Sequence, residues 1–508
     1  MPGRYNRRSP QAAMSTAATT PAAGNPGHPR GLYTLFFTEM WERFSYYGMR
    51  ALLVLFMVDS IQKGGMGLTD KVAASIYGLY TASVYLVALP GGWVADRLWG
   101  AQKCVWYGGM VIAAGHFILA IPQTWAFYLG LIVVVLGTGL LKPNISAIVG
   151  SLYPEGGARR DAGFTIFYMG INLGAAIGPL ICSTLGEKIN WHYGFAAAGV
   201  GMVLGLIQFR LQRVHLGDAG ARPGTEAPLS SVQKGVLGSV LAALAVVIVL
   251  GLTGSLSLDP VRLARGTTSF IVGTGVCYFA YVFLAYPLTR EEKQRVGVIG
   301  ILFLSSALFW AGFEQAGSSL NLFADRHTER SVASLNFLIP SGWFQSLGPV
   351  FIIALAPVVA GVWVALANRQ IKPSLGTKFG LGLIFLGVGF AIMAAGAKVV
   401  ASGTKVLPTW LISTYLIHTV GELCVSPVGL SSVTKLAPKR LVGQMMGIWF
   451  LATSLGNLIA GLIAGEFKTE NVADMPSQFM QIVYLPVVVG VLLIAFGKQI
   501  RRWCHGAE

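Results

Sequence analysis

Glu39, Glu42, Arg43, Tyr46, Tyr47 and Arg50 recur at spacings of one, three and four residues inside a largely apolar run from Tyr33 to Val58. That run is long enough to cross a bilayer as a helix. At about 100° per residue, the six side chains fall within an arc of about 140°. Met40, Trp41, Phe44 and Gly48 take the other side. One face of a membrane helix thus carries two carboxylates, two guanidinium groups and two phenols. Each charge at mid-membrane costs roughly 2.5–3.5 kcal/mol on insertion scales. Such a face must line a wet cavity or meet charges on other helices. An ion-pair cluster that only holds helices together is the plainer alternative, but apolar packing would do that work at lower cost.

Further polar groups stand in apolar runs: Tyr85, Lys142, Asn172, Glu314 and Glu422, with Asp325 at the end of one run and Trp449 within another. Lys142 near a membrane surface can extend its ammonium to water. Asn172 offers two donors and an acceptor, to a neighbouring helix or to a ligand.

The elements that must position these groups are read from composition. The chain has 508 residues, 54% hydrophobic and 11% charged. Soluble domains carry about 25% charged residues, so this is a polytopic membrane protein. The net charge of +16 suggests nucleic acid at first sight. The basic residues instead cluster in short loops between apolar runs, which excludes that reading. The cysteines, Cys104, Cys182, Cys277, Cys424 and Cys504, show no paired spacing and imply neither a disulfide framework nor a metal site. No cofactor is expected.

Hydropathy places about fourteen spans, near 33–59, 72–94, 104–121, 126–148, 162–185, 192–210, 235–255, 268–288, 298–323, 340–366, 379–399, 408–435, 441–465 and 479–498. Lys and Arg concentrate in alternate loops, together with both chain ends, which predicts cytoplasmic termini and an even number of spans. The expected organisation is a disordered cytoplasmic tail over 1–31, which holds no signal-peptide core, and a six-helix bundle over 32–212. A linker and inserted helix hairpin over 213–297, a second six-helix bundle over 298–498 and a cytoplasmic tail over 499–508 complete it. The hairpin is almost free of charge and reads as peripheral.

Several motifs resemble the proton-coupled oligopeptide transporter family of the major facilitator superfamily. Glu39-x-x-Glu42-Arg43-Phe44-x-x-Tyr47-Gly48 is similar to its first-helix signature. Phe164 to Gly174, with Ile171-Asn172-Leu173-Gly174, is similar to its second signature. Gly91 to Gly100, containing Asp96-Arg97, resembles the superfamily's loop motif, G-x-x-x-D-R-x-x-G. Gly139-Leu140-Leu141-Lys142-Pro143-Asn144, Trp310 to Gln315, His418 to Pro427 and Gly447 to Phe450 resemble further family motifs. The resemblance implies the major facilitator fold, two six-helix bundles plus the hairpin, and import of di- and tripeptides with protons as coupling ion. It implies a multi-pass protein of the inner membrane, monomeric and not an enzyme. Tyr46, Tyr47, Tyr85, Lys142, Asn172, Glu314, Glu422 and Trp449 would face the substrate together with Arg43. Glu39, Glu42, Arg43 and Glu314 would couple protons. The chain departs from the pattern twice: Gly78 stands where some members have a histidine, and Gly348 where many have asparagine. Coupling must then rest on carboxylates.

A peptide zwitterion would place its carboxylate toward Arg43 and Lys142 and its amine toward Glu422. Lys142 and Glu314 are expected to close a cytoplasmic gate, and Arg50 and Asp325 an outer one. A proton-coupled carrier of another small solute, a drug or an anion, is the alternative. A membrane enzyme is disfavoured, because no nucleophile–base pair or His/Cys cluster is present.

Overall fold

A computed structural model describes residues 27–224, 230–256, 258–467 and 472–507. Residues 1–26 of the expected tail and residues 225–229 of the expected linker therefore lie outside the described residues. The first six long helices are α1 (Arg30–Val58), α2 (Asp70–Val94), α3 (Ala101–Leu119), α4 (Thr124–Ser151), α5 (Gly157–Lys188) and α6 (Trp191–Gln212). α7 (Ser231–Leu252) and α8 (Pro260–Leu284) form the inserted hairpin. α9 (Arg290–Phe313), α10 (Ser319–His327), α11 (Leu347–Asn368), α12 (Leu375–Ala401), α13 (Thr409–Leu436), α14 (Val442–Gly465), α15 (Met475–Ala495) and α16 (Gly497–Cys504) complete the chain. Among the described residues, twelve helical segments are long and apolar enough to cross a membrane. α1, with its charged face, and the shorter α3 complete the fourteen. The described ends, near residues 27 and 507, lie on one side of the bundle, here called the terminal side; the other is the distal side.

α1 packs on α5 and α6, and α3 on α4 and α6. In the second bundle α12 packs on α15 and α13, and α9 on α14. Each bundle buries its own apolar core, one running from Leu32 to Leu216 and the other built mainly from Val296 to Cys504. The halves meet where α2 crosses α14. α8 lies along this seam, with Ala264 and Ile271 buried against Ala82 of α2 and Leu455 of α14. α7 stays outside, its described residues largely exposed to the lipid zone.

Glycines set the closest approaches. A Cβ on Gly170 would lie 2.9 Å from the Phe36 carbonyl oxygen, one on Gly174 2.9 Å from the Phe44 nitrogen, and one on Gly178 3.0 Å from the Gly48 nitrogen. This i, i+4, i+8 row is what seats α5 against the charged helix. Gly174→Val is expected to push the two backbones apart. Overpacking costs typically about 1–3 kcal/mol, and here the obstacle is backbone rather than a side-chain tip. A lowered melting temperature and loss of the monodisperse peak in detergent would report it; an unchanged melting curve would refute it.

Gly78 has a similar cause. A Cβ there would lie 3.1 Å from the Gly461 Cα on α14, so a histidine would have to push this crossing apart. The Gly91–Gly100 motif ends α2 in a π turn, Ala95–Trp99. Asn144 Nδ2 donates to the Gly91 carbonyl at 3.1 Å, which ties that motif to the Lys142-Pro143-Asn144 motif on α4.

One expectation needs correction. The span expected over 298–323 is broken: Glu314–Gly317 form a 3-10 turn between α9 and α10. Gly317 lies against the Tyr77 hydroxyl with no room for a Cβ. Residues 499–504 of the expected terminal tail continue in α16, which buries Ile500 and Cys504. A short hairpin, β1 (Ser331–Val332) with β2 (Phe337–Leu338), occupies the distal loop between α10 and α11.

Candidate functional site

Glu39, Glu42 and Arg43 are buried together on α1. Arg43 Nε donates to Glu42 Oε2 and stands 3.2 Å from Glu39 Oε1. One guanidinium edge is thus shared by two carboxylates. Glu39 Oε2, Glu42 Oε1 and Arg43 Nη2 are buried with no protein partner. Buried polar atoms normally find partners, so this cluster has capacity for a ligand, a water or a proton. Arg43 also lies over the Tyr46 ring, 5.2 Å from its centroid. Tyr46 stacks on Tyr80 and meets Tyr47 edge-on.

Two turns along α1, Arg50 Nη2 pairs with Glu314 Oε2 at 2.6 Å, and Arg50 Nε donates to the Tyr77 hydroxyl at 2.6 Å. The guanidinium lies over the Tyr47 and Tyr77 rings. The expected Arg50–Asp325 pair is therefore corrected. The break after Phe313 turns the Glu314 carboxylate toward α1, while Asp325, eleven residues on, accepts from Arg330 Nη2 at 2.8 Å. Lys142 does not pair with Glu314 either. Its Nζ lies 3.9 Å from the centroid of the Tyr85 ring. Lys142 is within electrostatic reach of Arg43, Glu42, Glu39 and Glu314, and Glu422 within reach of Glu314 and Arg50.

Glu422 on α13 is buried, and its Oε2 has no partner. Asn172 donates to the Tyr168 carbonyl one turn back at 2.9 Å, which turns its amide along α5. Trp449 packs over Gly429 and edge-on to Phe379, inside the second core. Gly348 has open space where a Cβ would stand. His418 Nε2 lies 3.1 Å from the Leu386 carbonyl and its ring lies against Phe390, away from the α1 cluster.

Sequence reasoning missed Tyr77 and Tyr80. With Tyr85 they fall within an arc of about 140° on α2, a signal that was available. It also missed the distal closure. Arg326 grips Asp70 with two bonds of 2.7 and 2.8 Å, Glu187 accepts from Ser341 and Gly342, and Lys71 pairs with Glu466 at 2.9 Å. Asn321 Nδ2 donates to the Ala51 carbonyl at 2.9 Å, and Ser346 Oγ to the Ala176 carbonyl at 2.7 Å. Among the described residues, no ion pair joins the two bundles on the terminal side. The halves are thus fastened distally and at mid-membrane.

Two six-helix bundles around a midplane cluster of opposed charges, one contributed by a broken helix, define a membrane transporter of the major facilitator type. Residues 102–481 match the POT family. The peptide transporter YePEPT of Yersinia enterocolitica is 42% identical, over 97% of this chain and 99% of that protein. A di-/tripeptide transporter of Lactococcus lactis is 37% identical, over 94% and 96%. Among solved structures, a peptide transporter POT in complex with sulfate superposes with a TM-score of 0.87 at 42% identity, over 96% of this chain and 98% of that one. A POT family transporter in complex with 5-aminolevulinic acid gives 0.84 at 35%, over 94% and 98%. The chain belongs to the POT family; it is a membrane transporter and not an enzyme.

Proposed function

We propose that the protein imports di- and tripeptides across the bacterial inner membrane with protons, as a monomer whose termini are cytoplasmic. One observation carries the substrate reading: Arg43 and Lys142 stand on the first bundle, and Glu422, with an unpartnered carboxylate oxygen, on the second. A zwitterion between them would lay its carboxylate on the first half and its ammonium on the second, and would draw the halves together. The phenols of Tyr46 and Tyr47 offer donors and acceptors to amides without demanding one side chain. The names of the relatives support peptides as the substrate class. Protonation of Glu39 or Glu42 would loosen the shared edge of Arg43 and free it for the ligand carboxylate. Rocking of the two bundles about this midplane site then alternates access.

The solved relative with 5-aminolevulinic acid supports a second reading, a carrier of small amino acids or related solutes. That ligand also carries one amine and one carboxylate.

Uptake in proteoliposomes under an imposed proton gradient tests transport. Competition by capped peptides tests orientation. Removing one charge of a desolvated pair costs about 2 kcal/mol or more, roughly 30-fold in affinity. Glu422→Ala should weaken free-amine peptides by that factor and N-acetylated peptides little. Lys142→Ala should weaken free-carboxylate peptides and spare C-terminally amidated ones. Equal losses for capped and uncapped ligands in both variants would overturn the orientation.

A further inference from the structure

The distal closure is centred on a carboxylate that the transport reading leaves unused. Glu187 lies in the last turn of α5, largely buried. Its Oε2 accepts from the Ser341 backbone N–H at 2.7 Å and the Ser341 hydroxyl at 2.8 Å; its Oε1 accepts from the Gly342 N–H at 2.9 Å. Arg330 stands 3.6 Å from Oε2 but makes its closer contact, 2.8 Å, with Asp325. Three donors and a shared guanidinium, all from the second bundle, thus converge on one carboxylate of the first. The same turn continues the grip: Trp343 Nε1 donates to the Leu180 carbonyl at 3.0 Å. Gly342 sits against Ser183 and Ala51 without room for a Cβ.

A cavity of about 340 Å³ opens beside this contact, and Glu187 forms part of its wall. The other charged groups facing Glu187 or lining the cavity are Asp325 and Arg326 of α10, Arg330 of the distal loop, Lys188 of α5, and Asp59 and Lys63 beyond α1. Arg326 is held by Asp70, and Asp59 accepts from Trp191 Nε1 at 3.1 Å. Lys63 stands 4.0 Å from Asp59, and Lys188 lies over the Phe337 ring, 4.9 Å from its centroid. Glu187 depends on backbone and hydroxyl donors and on a guanidinium it shares with Asp325.

We infer that Glu187 is a proton-operated lock on the distal gate, reached by protons from the distal solvent through this cavity. The ionised carboxylate accepts every donor presented to it. A proton transferred from water to one oxygen turns that oxygen into a donor facing donors, and the hydrogen bonds lose their charge assistance. The lock is complete at high pH and is lost as pH falls. The acidic distal side follows from the proposed proton-driven import, so the inference rests on that reading.

The test uses full-length protein in nanodiscs with the native cysteines replaced. Spin labels on Ile61→Cys and Leu407→Cys, both exposed distal positions on opposite halves, report gate width by double electron–electron resonance. The parent should gain a longer distance when pH drops from about 7 to 3.5, a window that spans the ordinary carboxylate range. Glu187→Gln should show the longer distance at both values. Ser341→Ala, which removes one donor and leaves the backbone intact, should shift the transition to higher pH. Glu42→Gln should leave the response in place. The inference is overturned if Glu187→Gln stays closed at both pH values, if Ser341→Ala titrates as the parent does, or if Glu42→Gln alone removes the response. Gradient-driven uptake by the parent is measured alongside. Its absence would refute the transport reading irrespective of the distances.

Discussion

Gradient-driven peptide accumulation should fall to background in Glu42→Gln, while exchange of labelled for unlabelled peptide persists. Glu42 is fully buried, and one of its oxygens accepts from Arg43 while the other has no partner. Glutamine keeps the volume and one carbonyl acceptor but cannot carry a proton between states. It also withdraws a negative charge from Arg43, which mimics the protonated acid. The arginine is then permanently available to a ligand carboxylate, so binding and exchange survive. The proton no longer shifts the equilibrium between ligand-ready and ligand-refusing states, so there is no coupling. Glu39, 3.2 Å from the same guanidinium, is the nearest group that can substitute. Glu39→Gln measured beside Glu42→Gln shows which carboxylate carries the proton. Normal accumulation in both would remove α1 from the coupling path.

The second large effect concerns the pair between the halves. Arg50→Ala leaves Glu314 buried without its counter-charge, and Glu314→Ala leaves Arg50 with only the Tyr77 hydroxyl and two aromatic faces. Breaking a buried pair from one side costs about 3–5 kcal/mol, on the order of 10²–10³ in an equilibrium constant. Either variant should lose transport by a factor of that order and melt earlier. The double variant Arg50→Met/Glu314→Met separates the two roles. Buried ion pairs replaced by apolar residues often regain stability, so its melting temperature should recover towards the parent. Its transport should not recover, because a pair that must open and close has become a permanent apolar contact. Recovery of both would mean that the pair only holds the helices together.

The charged face of α1 was legible because charges in an apolar run are costly and their spacing fixes a common side. The fourteen spans and the peripheral hairpin were legible from hydropathy. The partner of Arg50 was not. An unbroken ninth span puts Asp325 at the distal end of that span. Only the turn at Glu314–Gly317, made by Gly317 against Tyr77, brings the earlier carboxylate to Arg50. Glu187 was hidden for a different reason. It is an ordinary acidic residue at a helix end, and its significance lies in backbone N–H groups of a turn more than a hundred and fifty residues away. Trp449 illustrates the limit of motif reading: the motif located it, and the structure places it in the second core.

The glycine row of α5 also bears on how the chain is made. α1 leaves the ribosome before α5, and it carries Glu39, Glu42, Arg43 and Arg50 within its span. Its buried charges oppose partition into lipid by roughly 2.5–3.5 kcal/mol each. The surface that covers the other side of this helix, Gly170 to Gly178, is synthesised four helices later. At roughly 5–20 residues per second, the delay is on the order of ten seconds. Through that interval α1 has no stable place in the bilayer, so it must wait in the aqueous channel or against the insertion machinery until α5 arrives. Ribosome-bound fragments ending before residue 170 should therefore leave α1 extractable by alkaline carbonate, and fragments that include the whole of α5 should retain it.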